Sequence, residues 1–330
     1  MAAAEHRGRV MASELQIVTV GSDPTSVPGA STLLVELLEH LEACWSRFLP
    51  DSDVSRLNLA EGDAVQVDPS TITLVATMIE AWGATERRFD PTTLPALMAA
   101  GYRSSLDDPR HITILPSGAL RFDDGVADRP TLDDIEIDLD AGTVRLPVGL
   151  VIDPGGIGKG LAADLAVDLA LRAGADGALV SIGGDIAAAG RSGASGWRVV
   201  IEHPEPHREP VGTIEVTGGG VATSSTRSRR WRHHGIERHH LIDPWTDDVS
   251  TTDLASVTVV AGSGWLAEAH ATAAILAGSD HVIDHLDRHQ LTGVAVTAEG
   301  DVLTTRDVAE LAGPTSSRRA GATATTGDRS

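Results

Sequence analysis

The sequence predicts an α+β fold, one integrated domain in which mixed antiparallel sheets pack against helices. Three observations point there. Short alternating runs and amphipathic helical runs succeed one another through most of the 330 residues. Clusters of Asp, Pro and Gly between short apolar runs read as hairpin turns. No internal repeat and no linker separates independently patterned halves, and a chain of this length can bury one large core. With 42% hydrophobic, 22% charged and only 3% aromatic residues, that core is built from Leu, Val, Ile and Ala.

The elements follow in order. Residues 1–10 mix Glu, His and Arg, lack the apolar run of a signal peptide, and are expected as a flexible N-terminus. The domain is expected over 11–312. Residues 15–20 read as a strand, 30–43 as a helix with leucines on one face, and 51–58 as a turn into a short helix. Asp68-Pro69 marks the start of a helix expected over 68–89, which delivers Phe89-Asp-Pro-Thr92 at its end. Residues 107–148 suggest hairpins. A helix is expected over 161–173, a buried strand over 178–182, and paired strands over 197–202 and 213–217. Residues 227–240 read as an exposed basic loop. A strand over 257–261, a helix over 265–277 and a hairpin of 293–297 with 302–305 complete the domain. From 313 to 330 the Ser, Thr, Ala, Gly and Arg composition cannot bury a core, so a disordered tail is expected.

A formal charge of −21 argues against nucleic acid as the main partner, since phosphate backbones need a broad basic surface. A phosphate-bearing small molecule would need local compensation, from a few basic groups or from a bound cation that turns acidic residues into ligands. The single cysteine, Cys44, excludes an intramolecular disulfide and reads as a core thiol at the end of a helix. No stretch approaches the length of a membrane span, and a cytoplasmic location is the expectation.

Lys159 is the only lysine; every other basic side chain is Arg or His. It lies in Asp153-Pro-Gly-Gly-Ile-Gly-Lys-Gly160, just ahead of a helical run. A compact ammonium kept where composition favours Arg suggests a specific need. The glycines allow close approach of a ligand, and a helix start offers N–H groups to phosphate. The pattern is neither a Walker loop nor Gly-x-Gly-x-x-Gly, and a tight strand-to-helix turn with an exposed lysine accounts for it equally well.

Glu268 and Thr272 are four residues apart in a segment of helical period, so their oxygens share a face and suit a hard cation such as Mg²⁺. A helix-start carboxylate beside a core threonine gives the same pattern. His270 points elsewhere and carries little weight. His239, His240 and Asp243 lie close in sequence, as an acid/base histidine and its orienting carboxylate would, or simply as solvated loop residues.

Several segments, taken in order, resemble the ApbE-like flavin transferase family: Ser46-Arg-Phe48 with 51–58, Phe89-Asp-Pro-Thr92, 153–164, Ile182-Gly-Gly-Asp185, Val221-Ala-Thr-Ser224, His240-Leu-Ile-Asp-Pro244 and 267–272. The resemblance runs from Met11 to about Gly278. It implies a T-fold-related domain and an FAD:protein FMN transferase, which moves FMN from FAD to a Ser or Thr hydroxyl of an acceptor flavoprotein and releases AMP, with FAD hydrolysis as a side activity. It also implies an acceptor segment of the Ser/Thr-Gly-Ala-Thr type, with no nucleic acid and no membrane insertion. Met11, Phe48, Phe89, Asp90, Asp153, Lys159 and Ile242 would line the FAD site. Gly156, Glu268, Ala271 and Thr272 would hold Mg²⁺, and His240, oriented by Asp243, would be the catalytic acid/base. The sequence departs from the family pattern with Glu268 in place of Asp, and with Ser225, Asp247 and Ala12 each in place of Gly. The Glu268, Ser225 and Asp247 departures motivate the alternative of a non-catalytic FAD-binding or flavin-carrier protein.

Overall fold

Eight strands form one sheet whose spatial order follows chain order, with every neighbouring pair antiparallel. They are β1 (Ala2–Val10), β2 (Ser13–Gly21), β3 (Gly177–Ile182), β4 (Asp185–Gly190), β5 (Gly219–Ser225), β6 (Leu254–Ala261), β7 (Thr292–Thr297) and β8 (Val302–Thr304). Helices enter as two insertions. Between β2 and β3 come α1 (Ser26–Trp45), α2 (Asp53–Leu59), α3 (Pro69–Ala84), α4 (Leu94–Ala99) and α5 (Gly158–Arg172). Between β6 and β7 come α6 (Gly264–Ala277) and α7 (Val282–Arg288). This computed structural model describes residues 2–22, 26–105, 108–119, 130–192 and 196–308. The expected tail, 313–330, lies outside them.

The low aromatic content is visible in the packing. One core cluster joins Ile17, Leu34, Leu38, Leu74, Met78, Ala162, Ala166 and Val180, and a second joins Leu254, Val257, Ala271, Ile275, Val282 and Leu286. Alanines let the helices come close. At the start of α5 a side chain on Gly160 would place its Cβ 2.4 Å from the carbonyl oxygen of Gly264, the first residue of α6. Asp164, one turn further along α5, accepts the N–H groups of Gly264 at 2.8 Å and Trp265 at 3.0 Å. The two helix starts are therefore locked together, one by backbone contact and the other by a borrowed cap. Gly160→Ala is expected to lower stability by roughly 1–3 kcal/mol through overpacking against backbone that cannot swing away. The melting temperature relative to wild type measures it.

Several elements differ from expectation. Where a flexible segment was expected, Ala2–Val10 is a strand paired with β2 along its whole length, from Ala2 opposite Gly21 to Val10 opposite Ser13. Its charged residues alternate toward solvent, as suits a sheet edge. The helix expected over 68–89 stops at Ala84, where Thr85 Oγ1 bonds the Ala81 carbonyl at 2.8 Å and Glu86 and Arg87 take left-handed backbone. The segment 227–240 is a hairpin rather than a loop, Arg230–His233 against Ile236–His239. Trp231 anchors it, stacked on Tyr102 at 5.1 Å and donating Nε1–H to the Ala100 carbonyl at 2.8 Å. The pair Trp197–Ile201 with Gly212–Val216 and the hairpin of β7 with β8 form as expected.

Candidate functional site

The turns β1–β2 and β3–β4 lie at one end of the sheet, because Leu15 pairs with Ile182 and the Gly183 N–H donates to the Glu14 carbonyl at 2.8 Å. Met11 occupies the first turn in left-handed backbone, and Gly183, Gly184 and Asp185 form the second. The glycine loop 153–158 arrives at the same end. Asn58 positions it, its side-chain amide bonding both backbone groups of Ile152 at 2.8 Å. Asp153 N–H then donates to the Pro91 carbonyl at 2.8 Å, which seats the loop beside Phe89 and Asp90.

α5 begins at Gly158, earlier than expected, so Lys159 stands in its first turn. The lysine does not extend into solvent as a phosphate clamp would. Its Nζ makes an ion pair with Asp185 and another with Glu268 Oε1 at 2.6 Å, and all three side chains are largely buried. Glu268 Oε2 meanwhile accepts the Gly160 N–H at 2.8 Å. The helix-start N–H that sequence reasoning offered to phosphate is thus used by a carboxylate, and so is the ammonium. In this position Lys159 is the counter-ion that holds two carboxylates together.

Electrostatics make this cluster short of positive charge. Burial and the like charge of Glu268 push Asp185 up to about 7 despite Lys159 beside it. Burial raises Asp164 to about 6. Burial alone would depress Lys159, but the Asp185 and Glu268 carboxylates outweigh it and hold the ammonium above its ordinary value. Asp185 and Glu268 share the Lys159 ammonium, with Arg229 a further positive charge that acts on Asp185, and a bound cation would add to these. The surrounding donors are oxygens. Thr272 Oγ1 lies 3.2 Å from Ser224 Oγ. Gly156 is left-handed, and a Cβ there would fall 3.2 Å from Thr272 Oγ1 and 3.1 Å from the Phe89 ring. Only glycine leaves that cradle open. A hard divalent ion such as Mg²⁺ fits a donor set of carboxylate, hydroxyl and backbone oxygens.

Of the expected metal residues, Gly156, Glu268 and Thr272 come together. Ala271, whose backbone carbonyl was the expected ligand, directly precedes Thr272 on α6 with its side chain buried in the second core cluster. Asp185 is the residue that sequence reasoning left without a role. It closes the Ile182-Gly-Gly-Asp185 motif, but its pairing with a lysine 26 positions away is visible only in the fold.

Beside the cluster stands an aromatic and apolar wall. The Arg47 guanidinium lies 4.1 Å from the Phe48 ring centroid and 5.0 Å from that of Tyr102, and its Nε is 3.2 Å from Asp153 Oδ2. Ile242 belongs to the same core cluster as Tyr102, with Phe48 packed against it. Phe89 is buried under Gly156, and Asp90 Oδ1 accepts both N–H and O–H of Thr92, at 2.8 and 2.7 Å.

His240 follows the hairpin. Burial, then Arg229, depresses its imidazole to about 3, and Lys159 is among the charges that contribute. Its Nδ1 is buried without a hydrogen-bond partner among the described residues. The expected orientation by Asp243 is not found. Asp243 Oδ1 accepts the Trp245 N–H at 2.9 Å and shapes the turn between Ile242–Asp243 and Asp248–Val249. A carboxylate three residues on, across a tight ribbon, faces its own turn. His240 is thus expected to stay neutral as pH falls through 6.5, its ordinary value. The imidazole resonances followed by NMR against pH should show no protonation step there.

Comparison with known proteins places these features. The chain matches the ApbE family over residues 11–298. It is 26% identical to the Vibrio cholerae FAD:protein FMN transferase over 276 residues, covering 82% of this chain and 80% of that protein. With the Salmonella typhimurium FAD:protein FMN transferase it shares 26% identity over 304 residues, 89% of this chain and 84% of that one. The match to the Escherichia coli FAD:protein FMN transferase is 31% identical but spans 46% of this chain and 44% of that protein, less than half of its length. Among solved structures, the ApbE protein of Thermotoga maritima superposes with a TM-score of 0.79 at 22% identity, covering 94% of this chain and 99% of that one, and shares the fold. The apo Pseudomonas stutzeri flavinyl transferase ApbE superposes with a TM-score of 0.76 at 26% identity, covering 95% and 98%.

Proposed function

The chain belongs to the ApbE family, and from that premise we propose that it is an FAD:protein FMN transferase dependent on Mg²⁺. FAD and an acceptor hydroxyl would be the substrates. The acceptor oxygen forms a bond to the FMN phosphorus, the pyrophosphate bond to AMP breaks, and the hydroxyl proton leaves with a base. The observation that carries this reading is the buried cluster of Lys159, Asp185 and Glu268 beside Thr272 and the open cradle of Gly156.

Glu268, Thr272 and the Gly156 backbone would hold Mg²⁺, with Asp185 joining them. The ion would supply charge neutralisation at phosphate oxygens when bound. The protein's own groups do the rest. Lys159 keeps two carboxylates converged in a low-dielectric pocket, which preorganises the site before substrate arrives. Phe48 and Ile242, with Met11 at the β1–β2 turn and the Phe89-Asp90 loop, offer the apolar and polar walls for flavin. Asp153, paired with Arg47, stands at the mouth of the glycine loop. His240, neutral and with its Nδ1 unpartnered, would accept the acceptor's proton at that nitrogen in the tautomer that leaves the Nδ1 lone pair free. An acceptor segment of the Ser/Thr-Gly-Ala-Thr type presents a small hydroxyl residue that could enter such a site. No helix among the described residues is long and apolar enough to cross a membrane; a cytoplasmic location is the corresponding proposal.

A second reading has one observation in its favour. Glu268 already spends both oxygens, on Lys159 and on the Gly160 N–H, as a purely structural carboxylate in a flavin carrier would. AMP release from FAD separates the two. The enzyme releases AMP with Mg²⁺ and stops with EDTA, using an acceptor hydroxyl in transfer or water in the FAD pyrophosphatase side reaction. A carrier binds FAD and releases none.

A further inference from the structure

Helix α6 carries a second group of ligating side chains on a different face from Glu268 and Thr272. His270 on α6 meets His285 on α7 and His289 at the C-terminal end of α7. One nitrogen from each ring lies within 4.8 Å of those of the other two. His285 and His289 are four residues apart, one helical turn, so both reach the same side of α7. Ring centroids are 4.7 Å apart for His270 and His289, 4.7 Å for His285 and His289, and 5.3 Å for His270 and His285. The rings are tilted by about 50° to one another rather than stacked face to face.

Polar bookkeeping inside this group does not close without a further partner. His270 Nδ1 and His285 Nε2 are 3.2 Å apart, so one can donate to the other. His289 Nε2 is buried with no hydrogen-bond partner among the described residues, and such an atom has lost its hydration without a replacement. Glu86 Oε1 lies 3.8 Å from it, too far for a hydrogen bond but near enough to approach an ion held there. Glu86 is itself held at 3.0 Å by Arg288.

We propose that His270, His285 and His289 form a zinc site, with the Glu86 carboxylate or a water at the fourth position. Ligand nitrogens about 2.0–2.1 Å from a tetrahedral Zn²⁺ sit roughly 3.3 Å apart, close to the spacing that His270 and His285 already have. Neutral imidazole donors favour Zn²⁺ and its transition-metal neighbours over Mg²⁺, whereas the oxygens of Glu268 and Thr272 favour the reverse. The two sites therefore differ in ion as well as place. Zinc here would tie α6 to α7 and, through Glu86, to the turn after α3. Its role is to fix the helix from which Glu268 and Thr272 project.

The test uses the full chain produced without a histidine tag, stripped with chelator and dialysed, then titrated with Zn²⁺ or Co²⁺. Expected are about one equivalent of tightly held Zn²⁺ per chain, the visible absorption of four-coordinate Co²⁺ without a thiolate band, and a rise in melting temperature with Zn²⁺. His285→Gln and His289→Gln should each lose all three signals. His289 is only half-buried, so its variant should stay folded, and circular dichroism checks this. His40, Cys44 and Asp68 are another set of close potential ligands, and His40→Gln, like Glu268→Ala, should keep the signals. The proposal is overturned by wild type that binds no Zn²⁺, by a Co²⁺ spectrum with a thiolate band that vanishes in His40→Gln, or by binding that survives in a folded His289→Gln chain.

Discussion

Glu268→Ala is expected to cut Mg²⁺-dependent FMN transfer by about 10²–10³-fold, the scale seen when one charge-stabilising group is taken from a transition state. The carboxylate has three tasks in one place. It pairs with Lys159 at 2.6 Å, accepts the Gly160 N–H at 2.8 Å, and lies one turn before Thr272 on α6, where it would serve as a cation ligand. Alanine removes all of them and leaves the ammonium to pair with Asp185 alone. Glu268→Asp should retain or improve the metal-dependent rate, because Asp is the residue the family pattern has there. Initial rates of transfer across a Mg²⁺ titration measure both variants, with melting temperature as a control for folding. If the alanine variant keeps its rate and its metal dependence, the cation site lies elsewhere.

His240→Ala should lower transfer by about 10²–10⁴-fold, the usual worth of a positioned general base, while FAD affinity changes little. The interaction lost is one made mainly in the transition state, so it reduces the rate and not the binding. His239→Ala should be mild. The contrast is sharp because the two are chain neighbours with different surroundings: His239 lies in the hairpin strand, whereas His240 has a buried, unpartnered Nδ1. Since burial and Arg229 already hold His240 near 3, its depressed value keeps the neutral, basic form through 6.5 and down to that lower value. Transfer should therefore not decline through the ordinary histidine range on its account. Equal losses in the two variants would remove His240 from the mechanism.

Local pattern and physical periodicity account for what was legible beforehand. The spacing of Glu268 and Thr272 put both on one face of a helix, and the glycine loop led into a helix as read. The lone lysine stands out in the sequence, but its carboxylate partners do not, because Asp185 and Glu268 lie 26 and 109 positions away. Asp243 failed for the opposite reason: it is near His240 in sequence, yet a two-residue ribbon turns it onto its own backbone. The N-terminal strand was hidden by charges that are tolerable only at an edge. The hairpin of 230–239 was hidden by its arginines, with a single Trp231 carrying the packing. His270 looked idle alone, since its partners arrive from another helix.

The account stands most directly on covalent transfer. The purified chain is incubated with FAD, Mg²⁺ and an acceptor peptide or domain carrying a Ser/Thr-Gly-Ala-Thr segment, and the acceptor is weighed by mass spectrometry. The account predicts an FMN adduct on the segment's hydroxyl, absent with EDTA and absent when that hydroxyl residue is alanine. FAD bound by the chain with no adduct on any such acceptor and no AMP released would contradict it.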